Sequence, residues 1–384
     1  MFSWRSMKIL HTESSCGWGG QELRVLNEAC GMLRRGHQML LAAPARSRIY
    51  AEALKRGLPA HALPMEKKSL AGYFAVRALL KSEEMQLVNT HSSTDSWLTA
   101  LACIGLGNAP AVVRTRHISA PIPANFGTRW LYSRAAARVV TTGEALRLQV
   151  IRETGADPER VVSVPTGVDL AHFRPGDRSA ARAALAATAS IDLAPDDFLV
   201  GIVATLRSWK GHRYLLDALA LIADTRIKVV IVGGGPGEAN LRRQAADLGL
   251  ATRVIMAGQQ DDVVPWLQSF EAFVLPSYAN EGVPQAIMQA MACRLPIITT
   301  DVGAIGEVAK DGVTALMVRP QDADALAAAI LRLRDDAALR EQLAGAALMH
   351  AQSGFSEEIM LDRMEAVFRA ATDRAPIAAT GASI

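Results

Sequence analysis

The stretch AFVLPSYANEGVPQAIMQAMACRLPIITTDVG, Ala272–Gly303, reads as strand, loop, helix and strand in succession. The strand ends near Ser277. Pro284 suits a first helical turn, where its missing N–H has no partner to lose, and the helix runs to about Cys293 before a second apolar strand begins. A strand that passes through a helix into another strand is a parallel crossover unit, and its helix starts at the carboxyl end of the first strand. There the free N–H groups of a helix make an anion site, at the edge where open α/β sheets collect ligands. Glu281 falls in the loop just before it, placed to hydrogen-bond hydroxyls. Gln285 and Gln289 lie one turn apart on one helix face, while Ile287, Ala290 and Met291 face the core. The plain alternative is a surface acid and two surface amides on an ordinary amphipathic helix.

The same alternation extends over the whole chain. MKILHT, HQMLLAAP, LVNTHS, AVVRTRH, RVVTTG and RVVSVPTG read as strands in the first half, and FLVGIVATL, KVVIVGGG, RVIMAG, AFVLPS, LPIITTDVG and ALMVRP in the second, with helical periodicity between them. At 384 residues and 50% apolar content the chain exceeds what one core usually holds. Two doubly wound domains are therefore expected. The boundary falls near Gly176, in a Pro/Gly/Ala-rich region whose Ala-rich part has the option of a short helix. The tail beyond Asp373 lacks periodicity and bulk, and is expected to be disordered.

Composition excludes several classes. The four cysteines have no C-x-x-C spacing, against a zinc site or a disulfide framework. The amino terminus meets Lys8, His11 and Glu13 before any apolar core, unlike a secretory leader, and no apolar run is long enough to span a bilayer. A cytoplasmic protein is expected. Residues 1–178 carry 23 Lys/Arg against 14 Asp/Glu, whereas residues 179–384 carry 18 against 24. The basic half points to an anionic membrane surface or a phosphorylated acceptor; dispersed charge and few aromatics argue against nucleic acid.

Other motifs carry chemistry more weakly. ATLRSWKGH follows a strand with Arg207 and Lys210, cations able to stabilise a departing anion or simply solvated charges. GWGGQE, residues 17–22, lets backbone approach a phosphate or a sugar at Gly19 and Gly20, though a helix-entry turn needs no ligand. His91 ends a strand at its carboxyl edge, and His117 ends another beside Arg114 and Arg116, within reach of an acceptor phosphate. GGGPGE, Gly233–Glu238, resembles a phosphate loop but lacks the lysine of an ATPase. Asp322 and Asp324 form a D-x-D that helix capping explains better than metal binding.

The stretch EGVPQAIMQAMACRLPIITTDVGAIGEVAKDGVTALMV closely resembles the E-x7-E region of the retaining glycosyltransferases of family 4. The likeness covers nearly the whole chain, since GWGGQE, NTHSSTDSW, VVSVPTGVDLAHFRP, VATLRSWKGHRYLLDAL and VIVGGGPGEANLRRQAADLGL follow in family order. It implies a GT-B fold, two doubly wound Rossmann-like domains facing a central cleft. Residues 1–176 would form the acceptor side, joined by a terminal helix at about 356–372, and 177–355 the nucleotide-sugar domain. It further implies that Glu281 contacts the donor-sugar hydroxyls and that the amides from Gly282 through Val283 to Gln285 hold a diphosphate. Lys210 matches a family lysine; the family arginine position is Thr205 here, with Arg207 as stand-in. Gly19 and Gly20 would line the cleft, His91 would contact the donor sugar, and Gly234 would lie near the nucleotide. The second family glutamate, which binds ribose, falls on Gln289. An amide both accepts and donates, so this swap costs on the order of 1–2 kcal/mol. The implied reaction is metal-independent, retaining transfer from a nucleotide diphosphate sugar, with no other cofactor, to a saccharide or lipid-linked saccharide such as lipopolysaccharide core. A non-catalytic nucleotide-sugar-binding subunit and an epimerase of the same fold remain open.

Overall fold

A computed structural model of the chain describes residues 6–189, 193–194, 196–279 and 281–373. The tail expected to be disordered lies, beyond Asp373, outside the described residues. Among the described residues, no helix is long and apolar enough to cross a membrane.

The chain forms two compact units. The first runs to Gly167 and resumes at Glu357; the second spans Val168–Ser356. The change of unit thus falls before Gly176. Val168 already belongs to the second unit because its N–H donates to Phe355 O at 2.7 Å and it bridges Ser356 in parallel.

The first unit holds β1 (Lys8–Thr12), β2 (Gln38–Ala43), β3 (Ala60–Ala62), β4 (Leu87–Thr90), β5 (Ala111–Arg116), β6 (Arg138–Thr141) and β7 (Val161–Ser163). The second holds β8 (Phe198–Val203), β9 (Ile227–Val232), β10 (Val254–Gly258), β11 (Ala272–Leu275), β12 (Ile297–Thr300) and β13 (Ala315–Val318). The sheet orders are β3-β2-β1-β4-β5-β6-β7 and β10-β9-β8-β11-β12-β13, and every pairing is parallel. Both sheets are doubly wound, as expected. Every strand read from the sequence is present; β3 adds one more, too short and exposed to give a periodic signal.

Burial on both faces explains why the strands are nearly continuous apolar runs. Successive residues of β1 enter different cores: Ile9 packs with Val25, Leu26, Met32 and Leu361, whereas Leu10 packs with Leu40, Val76 and Leu79. The helix Glu357–Thr372 supplies Met360, Leu361, Met364 and Phe368 to the first of these cores. It also pairs Asp362 with Arg35 at 2.8 Å.

In the second unit, Gly201 of β8 leaves a gap that the Phe270 ring fills; a Cβ there would lie 1.9 Å from Phe270 Cε2. Phe270 is fully buried. Phe270→Ala should therefore empty this space and lower unfolding free energy by about 3–5 kcal/mol in urea titrations. A loss below about 1 kcal/mol would show that the ring does not hold β8 in place.

Candidate active site

Each sheet reverses its strand order once, between β1 and β4 and between β8 and β11. Crossovers leave to opposite faces there, so a crevice opens at the strand carboxyl ends.

In the second unit, β8 leads into the turn Ser208–Lys210 and β11 leads to Ser277 and Glu281. Lys210 Nζ donates to both Glu281 oxygens, at 2.6 and 2.9 Å, and Ser277 Oγ donates to Oε1 at 2.5 Å. Glu281 is 4% exposed and Lys210 18%. Two glycines permit this arrangement. Gly211, at φ +78, lies against Pro276 O, where a Cβ would come within 1.9 Å. Gly303, at φ +63, lies against Glu281 O at a distance a Cβ would reduce to 2.1 Å. Side chains at these positions would push the two loops apart.

The helix Gln285–Ala292 starts one residue later than a first-turn proline requires, because Pro284 is its cap: the Pro284 carbonyl accepts from Ile287 and Met288. Cys293 closes it. The N–H groups of Gly282 and Val283 have no hydrogen-bond partner among the described residues. Gln285 and Gln289 are half-buried, while Ile287, Ala290 and Met291 are fully buried, so the helix faces fall as the sequence indicates. Arg207 does not join Glu281. It is exposed, and its guanidinium lies 5.5 Å over the Trp209 ring. Gly234 accepts from Leu206 N–H at 3.0 Å, fixing the glycine loop against the segment that carries Lys210. His212 follows Gly211, held neutral down to about pH 4 by burial and by the Lys210 cation. Asp322 caps the helix Ala323–Asp335 by accepting from Ala325 N–H at 2.9 Å, which accounts for the D-x-D.

In the first unit, Gly19 caps the helix Gly20–Arg34, and the buried Glu22 carboxylate lies beside Gly17 and Gly19. An acid already faces this helix start, so the loop suits hydroxyls better than phosphate. His91 is buried between His11 and His117, with nitrogen separations of 2.9 and 3.0 Å. Arg114 and Arg116 are committed to internal partners: Arg114 reaches Ser92 O and stacks on Tyr132, and Arg116 bonds Tyr132 Oη at 3.1 Å.

Sequence reasoning passed over an acid pair here. Asp95 accepts from Thr12 Oγ1 and from the N–H groups of His91 and Ser92; Glu13 accepts from Ser15 N–H, Gln21 and Ser92 Oγ. Burial raises Glu13 to about 7, with Asp95 adding to the rise, and raises Asp95 to about 6. The Ser92-x-x-Asp95 spacing of a capping box was the available signal.

Two parallel sheets with side chains gathered at each reversal define a GT-B glycosyltransferase fold. A glycosyltransferase from Rickettsia africae aligns at TM-score 0.87 and 19% identity over 97% of this chain and 100% of its own. HepE from Anabaena, in complex with UDP-glucose, aligns at 0.82 and 21% over 94% and 99%. The pattern described as Glycosyltransferase Family 4 matches residues 18–172, and that described as Glycosyl transferases group 1 matches residues 197–336. A D-inositol 3-phosphate glycosyltransferase from Rhodococcus jostii is 29% identical over 92% of this chain and 85% of its own length. The chain belongs to glycosyltransferase family 4.

Lys210→Ala leaves the buried Glu281 carboxylate without its cation, and should cost about 1–3 kcal/mol of stability. In a double-mutant cycle with Glu281→Gln, the double variant should lose less than the sum of the singles. Strict additivity would mean the pair is not energetically coupled.

Glu13 gives a pH test. Below its ordinary 4.5 it is protonated folded and unfolded; between there and about 7 the unfolded chain releases the proton first, so folding weakens as pH rises. Glu13→Gln removes this dependence. Its gain in urea midpoint over the parent should be larger at pH 8 than at pH 5, and equal gains would show that Glu13 ionises normally.

Proposed function

We propose that the chain transfers a sugar, with retention, from a nucleotide diphosphate sugar to a hydroxyl of a saccharide or a phosphorylated polyol. The observation that carries this is the Lys210–Glu281 pair beside the two unpartnered amides of Gly282 and Val283. Its two halves complement the two halves of such a donor. The lysine and the amides suit a diphosphate, and the Glu281 carboxylate accepts from sugar hydroxyls. As the sugar–oxygen bond breaks, charge grows on the leaving diphosphate, so Lys210 stabilises the transition state more than the ground state. Glu281, fixed by Ser277 and by its own backbone at Gly303, orients the sugar. Arg207 must leave Trp209 to reach the diphosphate, and is assigned a role on donor binding only. Retention is proposed on the family resemblance alone.

The UDP-glucose complex of the Anabaena neighbour supports the donor class. The relative from Rhodococcus jostii, named for D-inositol 3-phosphate, supports a phosphorylated polyol as acceptor. A lipopolysaccharide or other membrane-borne acceptor rests on the basic amino-terminal half alone.

Calorimetric titration with UDP, GDP, ADP and CMP, in the presence of a chelator, tests the donor site. One nucleotide diphosphate should bind, and Lys210→Ala should weaken it about 10–100-fold. Binding of none would favour a non-catalytic subunit. With the matching nucleotide sugar, product NMR should report the donor's anomeric configuration on inositol 3-phosphate or a saccharide; conversion of the donor without acceptor would indicate an epimerase. Equal rates with and without anionic vesicles would remove the membrane-surface reading.

A further inference from the structure

Three histidines step along the carboxyl edge of neighbouring strands: His11 on β1, His91 just after β4 and His117 just after β5. His11 Nδ1 lies 2.9 Å from His91 Nε2, and His91 Nδ1 lies 3.0 Å from His117 Nε2. These are hydrogen-bond separations with no room for a cation between them, and among the described residues no cluster able to hold a metal is found. At the inner end, His11 Nε2 has no hydrogen-bond partner and faces Glu28 Oε1 at 3.8 Å.

We propose that Glu28, His11 and His91 form a tautomer-fixing relay that leaves Nδ1 of His117 as a bare acceptor at this edge, for a hydroxyl of a sugar or polyol and against a phosphate.

The argument is one of proton count. A neutral imidazole carries one N–H, so each nitrogen's partner decides the state of the other. All three rings are neutral, because burial holds each well below the ordinary histidine range, His11 to about 3. Two arrangements then remain. Either every N–H points inward, ending with His11 Nε2–H toward Glu28, or every N–H points outward, leaving His11 Nε2 bare against a carboxylate oxygen.

Glu28 selects the first. Its other oxygen lies 3.5 Å from the buried Arg24 Nε. Burial pushes the Glu28 carboxyl up while Arg24 opposes the shift, and protonating Glu28 would leave a buried guanidinium uncompensated. Asn89 Nδ2 donates to Glu28 Oε1 at 3.0 Å, and Asn89 Oδ1 accepts from Thr115 Oγ1 at 2.8 Å, so this amide cannot turn to offer its oxygen instead. With Glu28 ionised, the N–H groups run His117 Nε2 to His91, His91 Nε2 to His11 and His11 Nε2 toward Glu28.

Two consequences follow. Both ring nitrogens of His91 are used inside the relay, so the nitrogen open to a ligand is His117 Nδ1, which has no hydrogen-bond partner among the described residues. A bare nitrogen repels an anion and accepts from a hydroxyl. The phosphate-binding role offered for His117 by its arginine neighbours is thereby replaced. Glu28 and His11 are positioning residues, because they act through the chain of rings.

The test uses the full chain labelled with 15N-histidine and long-range 1H–15N correlation at neutral pH. All three rings should be neutral and protonated at Nε2. A protonated Nδ1 on His117, or an imidazolium at any of the three, overturns the relay. In Glu28→Gln the carboxylate charge that selects the inward arrangement is lost, while Asn89 still donates to the remaining oxygen, so the inward preference should weaken and His117 should gain a population protonated at Nδ1. An unchanged His117 tautomer in this variant, if folded, also overturns the proposal. The activity arm rests on the transferase reading: there kcat/KM should fall about tenfold, one hydrogen bond, with nucleotide affinity unchanged. Absence of transfer by the parent protein, with the tautomers as described, would sink the functional reading and leave the relay standing.

Discussion

A reversal in strand order decides where polar groups can gather in this chain. Both sheets are parallel and covered on both faces, so their interiors are packed chiefly with Val, Ile, Leu, Met, Ala and Phe. Between β1 and β4, and between β8 and β11, successive crossovers depart to opposite sides and leave the strand ends uncovered. His11, Glu13, His91, Asp95, Lys210, Ser277 and Glu281 all lie at those two points or in the loops and first helical turns leaving them. Elsewhere the helices close over the sheet.

The two edges use opposite electrostatic strategies. In the second unit a lysine and a glutamate pair at hydrogen-bond distance. Such a pair is poised for exchange, because a ligand carrying an anion and hydroxyl donors can replace each partner for the other. In the first unit burial is deeper and disfavours charge: the Glu13 and Asp95 carboxyls are pushed up and the imidazoles down, so that neutral hydrogen-bonded rings carry that edge. Recognition there depends on which atom carries a proton. That favours hydroxyl ligands, which both donate and accept.

The fold was legible because periodicity is written residue by residue. Ile9 and Leu10 enter different cores, so apolar residues sit at adjacent positions of β1 instead of alternating with polar ones, and adjacent apolar residues likewise mark β8 and β9. β3 escaped because three residues, two of them exposed, carry no period. In the site, Glu281 and Lys210 were legible one by one from their places after strands, whereas their contact, made between residues 71 positions apart, was not. Arg207, read as the stand-in for the family arginine at Thr205, lies over the Trp209 ring, a local contact that its position after a strand does not reveal. The histidine relay and the Glu13–Asp95 pair were not legible. Their members are separated by scores of residues, and only the pairing of β1 with β4 and of β4 with β5 brings them together.

Gln289 can be understood in the same terms. With Lys210 already matched to Glu281, a glutamate at 289 would add an unmatched negative charge four residues into a helix whose start is proposed to receive a diphosphate. Four residues span about 6 Å along a helix, and at that separation two like charges near a protein surface repel by about 2–3 kcal/mol. The charge-assisted hydrogen bond forgone by the amide is worth on the order of 1–2 kcal/mol. The two terms are of similar size and opposite sign. A glutamine here is therefore compatible with donor binding, provided its half-buried side chain keeps the face it shares with Gln285, because the ribose hydroxyls it would meet can both donate to its oxygen and accept from its nitrogen.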